Sequence, residues 1–130
     1  MIKIAIMGFG TIGAGVYDVV NTNRDIIRRN LGDEIEISHV LDLRTFPGNP
    51  VENVLTHDVE EILGDAETRI VVETMGGVEP AFTFVRRALE AGKSVATSNK
   101  ELVAKKGVEL MQIACRNAVN FMFEASVGGG

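Results

Sequence analysis

The sequence predicts an α/β fold in which a doubly wound parallel sheet lies between two helical layers, a three-layer α/β/α arrangement. Three observations carry that expectation. Apolar runs of strand length alternate with segments of helical periodicity, the pattern of a parallel sheet joined by right-handed crossovers. The first apolar run, Ile2 to Met7, leads directly into Gly8-Phe9-Gly10-Thr11-Ile12-Gly13 and then into a helical pattern. Other strand ends run into turns at Asp42 to Arg44, Thr74 to Gly77 and Ser98 to Lys100, and ligands of such sheets gather outside the carboxyl ends of the strands.

The glycine run is informative because of its setting. G-x-G-x-x-G recurs by chance, but a strand before it and a helix after it make it the dinucleotide-binding fingerprint of a Rossmann-like fold. Gly8 permits the sharp strand-to-helix turn. Gly10 has no side chain, so a pyrophosphate can approach the backbone and meet the unpaired amides and positive dipole end of the next helix. Gly13 lets that helix lie close to the strand. Gly15, in the same helix, suggests a second close contact, since glycine costs helix propensity there.

Each element follows in order. Ile12, Val16, Val19 and Val20 form the apolar stripe of the first crossover helix. Asn21-Thr22-Asn23 interrupts it, Ile26, Ile27 and Leu31 continue the crossover, and Gly32 ends it. Ile35, Ile37, Val40 and Leu41 read as the second strand. Arg44 to Pro50, with two prolines and a glycine, reads as a surface loop without strand or helix. Asp58 with Glu61 has capping-box spacing before Ile62 and Leu63, and Gly64 closes that short helix. Ile70-Val71-Val72 is the next buried strand. Pro80 takes a first-turn helix position, Ala81, Val85, Ala88 and Leu89 form that helix's inward stripe, and Gly92 ends it. Ser94 to Thr97 is a short strand, a helix with Val108, Met111 and Ala114 flanked by Leu110 and Ile113 follows, and Val119 to Phe123 supplies a last strand.

Several side chains at the ligand face can carry chemistry. Asp42 ends the second strand, where a carboxylate can hold an adenosine ribose and repel a 2'-phosphate, which favours NAD. Arg44 could instead clamp a 2'-phosphate, and the interval from the glycines exceeds the usual spacing of about 20 residues, so NAD and NADP both stay open. Asp42 also reads as a plain turn residue. Lys100, just past a strand end, could polarise a carbonyl or exchange a proton with a hydroxyl; the other reading is an exposed lysine paired with Glu101. Ser98 and Glu101 fit a capping box. Glu124, before Ser126-Val127-Gly128-Gly129-Gly130, could join nearby carbonyls around a hard cation. His39 and His57 have no partners spaced for a metal and read as structural. Cys115 reads as a small apolar residue in mid-helix, and the Met and Phe residues, Met122 and Phe123 included, as core.

Composition narrows the function classes. The chain has 130 residues, enough for one domain with a hydrophobic core, and a net charge of -5 with no Lys/Arg cluster, which argues against nucleic acid. Arg28-Arg29 and Lys105-Lys106 read as solvated helix faces. One cysteine excludes a disulfide framework, and no run has membrane-spanning length or signal-peptide organisation. A soluble cytoplasmic protein is expected.

Five segments together resemble one family: Gly8 to Gly13, Val71 to Ala81 (V-V-E-T-M-G-G-V-E-P-A), Ala88 to Lys93, Thr97 to Leu102 (T-S-N-K-E-L) and Glu124 to Gly130. They are similar to the amino-terminal NAD(P)-binding domain of homoserine dehydrogenase. The resemblance implies NAD(P)-dependent interconversion of L-homoserine and L-aspartate 4-semialdehyde by hydride transfer, in the pathway to threonine, methionine and isoleucine. By the same resemblance Lys100 matches the lysine beside the nicotinamide and the reacting oxygen. Phe9, Thr11 and Ile12 match nucleotide contacts, and Thr74 and Met75 line the cofactor cleft. Glu124 with the carbonyls of Val127 and Gly129 matches a sodium site. Members continue into a second domain that supplies substrate contacts, a further catalytic lysine, an acidic partner and the homodimer interface, so residues 1–130 alone are expected to bind nucleotide with little turnover. Two other readings compete: a free-standing nucleotide-binding or sensing module, and another oxidoreductase with a similar first domain, such as an amino-acid dehydrogenase or a dihydrodipicolinate reductase.

Overall fold

Strand β1 (Ile2–Met7) owes its central place to side chains that are apolar on both faces, the mark of a strand covered on both sides. Ala5 and Met7 point to one face and Ile4 and Ile6 to the other. In the computed structural model, which describes residues 1–123, β1 pairs in parallel with β2 (Ile35–Leu41) on one side and β4 (Thr68–Glu73) on the other. Strand β3 (Leu55–Thr56) extends the sheet beyond β2, and β5 (Ser94–Thr97) and β6 (Phe121–Phe123) extend it beyond β4, giving the order β3-β2-β1-β4-β5-β6 with every pair parallel. The chain therefore winds outward from β1 in one direction and from β4 in the other. The switch between the two lies where their carboxyl ends open side by side. Glu124, Val127 and Gly129 lie outside the described residues.

Helices α1 (Thr11–Thr22) and α2 (Arg24–Leu31) cover one face, where Val20 packs with Ile4, Ile6, Ile35, Ile37 and Val40. Helices α3 (Val59–Leu63), α4 (Ala81–Glu90) and α5 (Lys100–Arg116) cover the other, where Ile62, Val85, Leu89, Leu102 and Leu110 pack on Met7, Val71 and Val95. A fully buried side chain of this size contributes about 1.5–3 kcal/mol. The three-layer expectation is met.

Several local readings need correction. The buried side of α1 is Gly13 and Val20, with Val16 and Tyr17 packed beside them, while Ile12 and Val19 are exposed. Gly13 sets that rotation. A Cβ on it would lie 1.9 Å from the Gly8 carbonyl oxygen, so Gly13 must face the strand. Val16, Tyr17 and Val20 then fall within about 60° of it, and Ile12 and Val19 turn away by about 100° or more. Gly15 meets nothing within 4 Å, so the close contact expected there is absent. In α5 the inward side is Leu102, Gly107, Leu110, Ile113 and Ala114, and Val108 and Met111 face solvent.

The Arg44 to Pro50 loop ends in a 3-10 turn, Pro50–Asn53, capped by the Asn49 side chain and anchored by buried Val51. Strand β3 follows it, two residues too short to show a period. Asp58 caps α3 through the Glu60 amide as expected, but the Glu61 carboxylate takes the Thr56 hydroxyl rather than closing a capping box. The cap of α5 is Asn99, one residue beyond Ser98; its Oδ1 accepts the Leu102 amide. Pro80 stands at the N-cap of α4, one position before its first turn. Cys115 is exposed in the last turn of α5, and Met122 is exposed on β6, the edge strand.

Candidate functional site

A cleft of about 600 Å³ opens at the carboxyl ends of β1, β2 and β4, at the switch point. Seven of the residues singled out from sequence line it: Gly8, Phe9, Gly10, Asp42, Arg44, Thr74 and Met75. Gly8 turns the chain out of β1 at φ +100°, a conformation L side chains rarely adopt. Gly10 is the N-cap of α1 and brings no side chain to the first amides, so their N–H groups and the positive end of the helix dipole are unfilled from the protein. A Cβ on Gly10 would meet nothing within 4 Å. The open space beside an uncapped helix start fits a pyrophosphate.

Thr74 holds the turn from beneath. Its hydroxyl lies 3.1 Å from the Met7 carbonyl and 3.0 Å from that of Gly8, and can donate to either. Phe9 lines the cleft, and its ring packs against Tyr17 and Phe46 at centroid distances of 5.7 and 5.0 Å. Thr11 and Ile12 are exposed in the first turn of α1 and are not part of the cleft wall, and Gly13 is buried under the turn.

Asp42 is engaged by the protein itself. Its Oδ2 accepts the Phe9 amide and an Arg44 guanidinium N–H, both at 2.9 Å, and its Oδ1 accepts the Arg44 amide at 2.9 Å and Nε at 3.0 Å. The Arg44 side-chain bonds hold the carboxyl well below the usual Asp range against the opposing effect of burial. Arg44 stacks over Phe46 at 5.2 Å. The plain-turn reading of Asp42 does not describe this network, which ties the glycine turn to the end of β2.

Lys100 is exposed as the first residue of α5 and is not part of the cleft wall. It is not paired with Glu101, whose carboxylate instead lies 3.6 Å from Lys105. His57, read as structural, bonds the Asp42 carbonyl through Nδ1 at 2.6 Å and also borders the cleft. Leu41, Leu43, Val59, Gly76, Pro80 and Phe84 complete the wall. Nothing in the spacing of Pro80 and Phe84 marks them for the cleft, and Phe84 also packs against the core. Glu73 and Asn99, buried beneath the ends of β4 and β5, fall within strand-end motifs marked from sequence but were given no role of their own. Among the described residues no group of three or more His, Cys, Asp or Glu is placed to hold a metal.

Known proteins share this arrangement. A family model described as the NAD binding domain of homoserine dehydrogenase matches residues 8–124. The chain belongs to the homoserine dehydrogenase family, as its NAD-binding domain. Homoserine dehydrogenase of Lactococcus lactis is 41% identical over 99% of this chain, which covers 31% of that relative. Its counterpart in Bacillus subtilis is 34% identical over 99% of the chain and is covered to 30%. A crystal structure of Staphylococcus aureus homoserine dehydrogenase superposes with a TM-score of 0.88 and 42% identity, over 99% of this chain and 34% of that one. The chain thus spans about a third of the homoserine dehydrogenases it matches. Membership of this family disfavours the free-standing sensor. No helix among the described residues is long and apolar enough to cross a membrane.

Proposed function

We propose that this chain forms the cofactor-binding part of an enzyme that interconverts L-homoserine and L-aspartate 4-semialdehyde, with a second domain supplying the substrate contacts and the homodimer interface, in the cytoplasm. The open, uncapped start of α1 at the switch-point cleft carries the reading, together with the family match. A nicotinamide cofactor held at the Gly8–Gly13 turn would supply the hydride acceptor or donor. The chain's own residues do the rest. Gly8, Gly10 and Thr74 shape the turn that would hold the pyrophosphate. Lys100, at the mouth of β5, is assigned to the reacting oxygen: it takes the proton released as the alcohol becomes the aldehyde, or gives one in the reverse direction.

NADP(H) is the preferred cofactor in this reading. A carboxylate offers about four acceptor positions, and Asp42 meets four N–H groups of its own chain. It has little left for a ribose diol. Arg44, held in place by Asp42 at the rim of the cleft, supplies positive charge where a 2'-phosphate would lie.

Lys100 is tested in the full-length protein by steady-state oxidation of L-homoserine. Lys100→Ala lowers kcat by about 100-fold or more while cofactor affinity changes little. Unchanged kcat would remove Lys100 from the reaction.

A further inference from the structure

Glu73 is fully buried at the last position of β4, a carboxyl without an Arg or Lys partner among the described residues. Burying such a group is costly unless hydrogen bonds replace its water. All of its partners are neutral, and each belongs to a segment that forms the ligand face. Oε1 accepts the Thr97 hydroxyl at 2.5 Å, from the end of β5. Oε2 accepts the Met75 amide at 2.7 Å, from the loop leaving β4. Asn99 Nδ2 lies 3.5 Å from the same oxygen and donates at 2.5 Å to the Gly77 carbonyl.

The chain of contacts continues to the reacting lysine. Thr97 Oγ1 accepts the Asn99 amide at 2.9 Å, and Asn99 Oδ1 caps α5 by accepting the Leu102 amide at 3.1 Å. Lys100 is the first residue of that turn, directly after the cap. An apolar side chain in place of Glu73 would fill the space but leave the Thr97 hydroxyl and the Met75 amide buried without acceptors. A fold that needed only packing here has no use for a carboxyl.

We propose that Glu73 is a positioning residue: through Thr97 and Asn99 it fixes the start of α5, and with it Lys100, relative to the Met75–Gly77 loop that borders the cleft. The proposal rests on Lys100 acting at the reacting oxygen. Orientation of this kind affects the rate of the reacting complex more than the binding of its parts.

The test compares Glu73→Gln, Thr97→Val and Thr97→Ser in the full-length protein, each alone and combined with Lys100→Ala. Thr97→Val keeps the shape of the side chain and removes the hydroxyl, so it serves even if Glu73→Gln does not fold. Glu73→Gln and Thr97→Val are expected to lower kcat about tenfold with the cofactor KM changed less than about twofold, and Thr97→Ser restores most of the rate. In the Lys100→Ala background the same changes lower the residual rate by less than about twofold, because the group they position is gone. An equal fall with and without Lys100, or parental kcat in Thr97→Val, overturns the proposal. If Lys100→Ala itself keeps the parental kcat, the assignment of Lys100 fails and this proposal fails with it. Loss of activity in Lys100→Ala but not in Thr97→Val defeats the positioning role alone.

Discussion

Lys93 is the only buried lysine or arginine among the described residues, and it is not part of the cleft wall. Its Nζ donates at 2.7 Å to each of the carbonyls of Asp65 and Thr68, closing the turn before β4. Burial lowers its pKa below the ordinary lysine value, with Asp65 acting in the opposite direction. Just below the ordinary value of about 10.4, the unfolded chain therefore holds more protons than the folded one, and this residue makes stability rise with pH until both states are neutral. Lys93→Met leaves two carbonyls without a donor and should cost about 1–3 kcal/mol at neutral pH. Urea unfolding measured toward about pH 10 should show the rise in the parent and not in the variant; equal stabilities with equal pH slopes would contradict the assignment. The sequence offered no sign of this, because a lysine in a strand-entry turn looks like any solvated one. Asp42 and Arg44 were legible as neighbours at a strand end, but not as part of a network with the glycine turn, since the Phe9 amide that donates to Asp42 lies 33 residues from it.

At the scale of the element, strands and helices were read in their right order, while helix rotation was read less well. Helix α5 carries two apolar stripes, one through Leu102, Leu110 and Ile113 and another through Ala104, Val108 and Met111, and periodicity alone cannot rank them. Contact with α4 and the sheet selects the first. Leu110→Ala should therefore destabilise the domain by about 2–5 kcal/mol, whereas Val108→Lys should stay within about 0.5 kcal/mol. Thermal unfolding of the two variants measures the contrast, and a reversed order would mean that the helix is rotated. In α1 the sequence did contain the answer, because the glycine that must approach the strand also fixes which residues follow it inward. Caps were placed to within one residue. Asn99 displaced Ser98 because its longer side chain reaches both the Leu102 amide and the Gly77 carbonyl.

At the scale of the molecule, the fold, the ligand face and the cofactor class follow together from one strand-turn-helix unit and the direction in which later strands are added. The sheet was legible because burial on both faces leaves continuous apolar runs at Ile4 to Met7 in β1 and Ile70 to Val72 in β4, while β2 shows itself through Ile35, Ile37, Val40 and Leu41. Its outermost member β3 was not, since two residues carry no period. The cleft wall was half legible. Backbone-lined positions such as Gly8 and Gly10 announce themselves by residue type, whereas Pro80 and Phe84 reach the cleft only once α4 is docked. The central claim is that Gly10 leaves room for a dinucleotide rather than for the protein. Its direct test is titration of the wild-type chain and of Gly10→Ala with NADPH and NADH, followed by nicotinamide fluorescence. Wild type should saturate, with NADPH ahead of NADH, and Gly10→Ala should keep the parental melting temperature yet bind about tenfold or more weakly. No saturable binding by wild type, or undiminished binding by Gly10→Ala, would contradict the account.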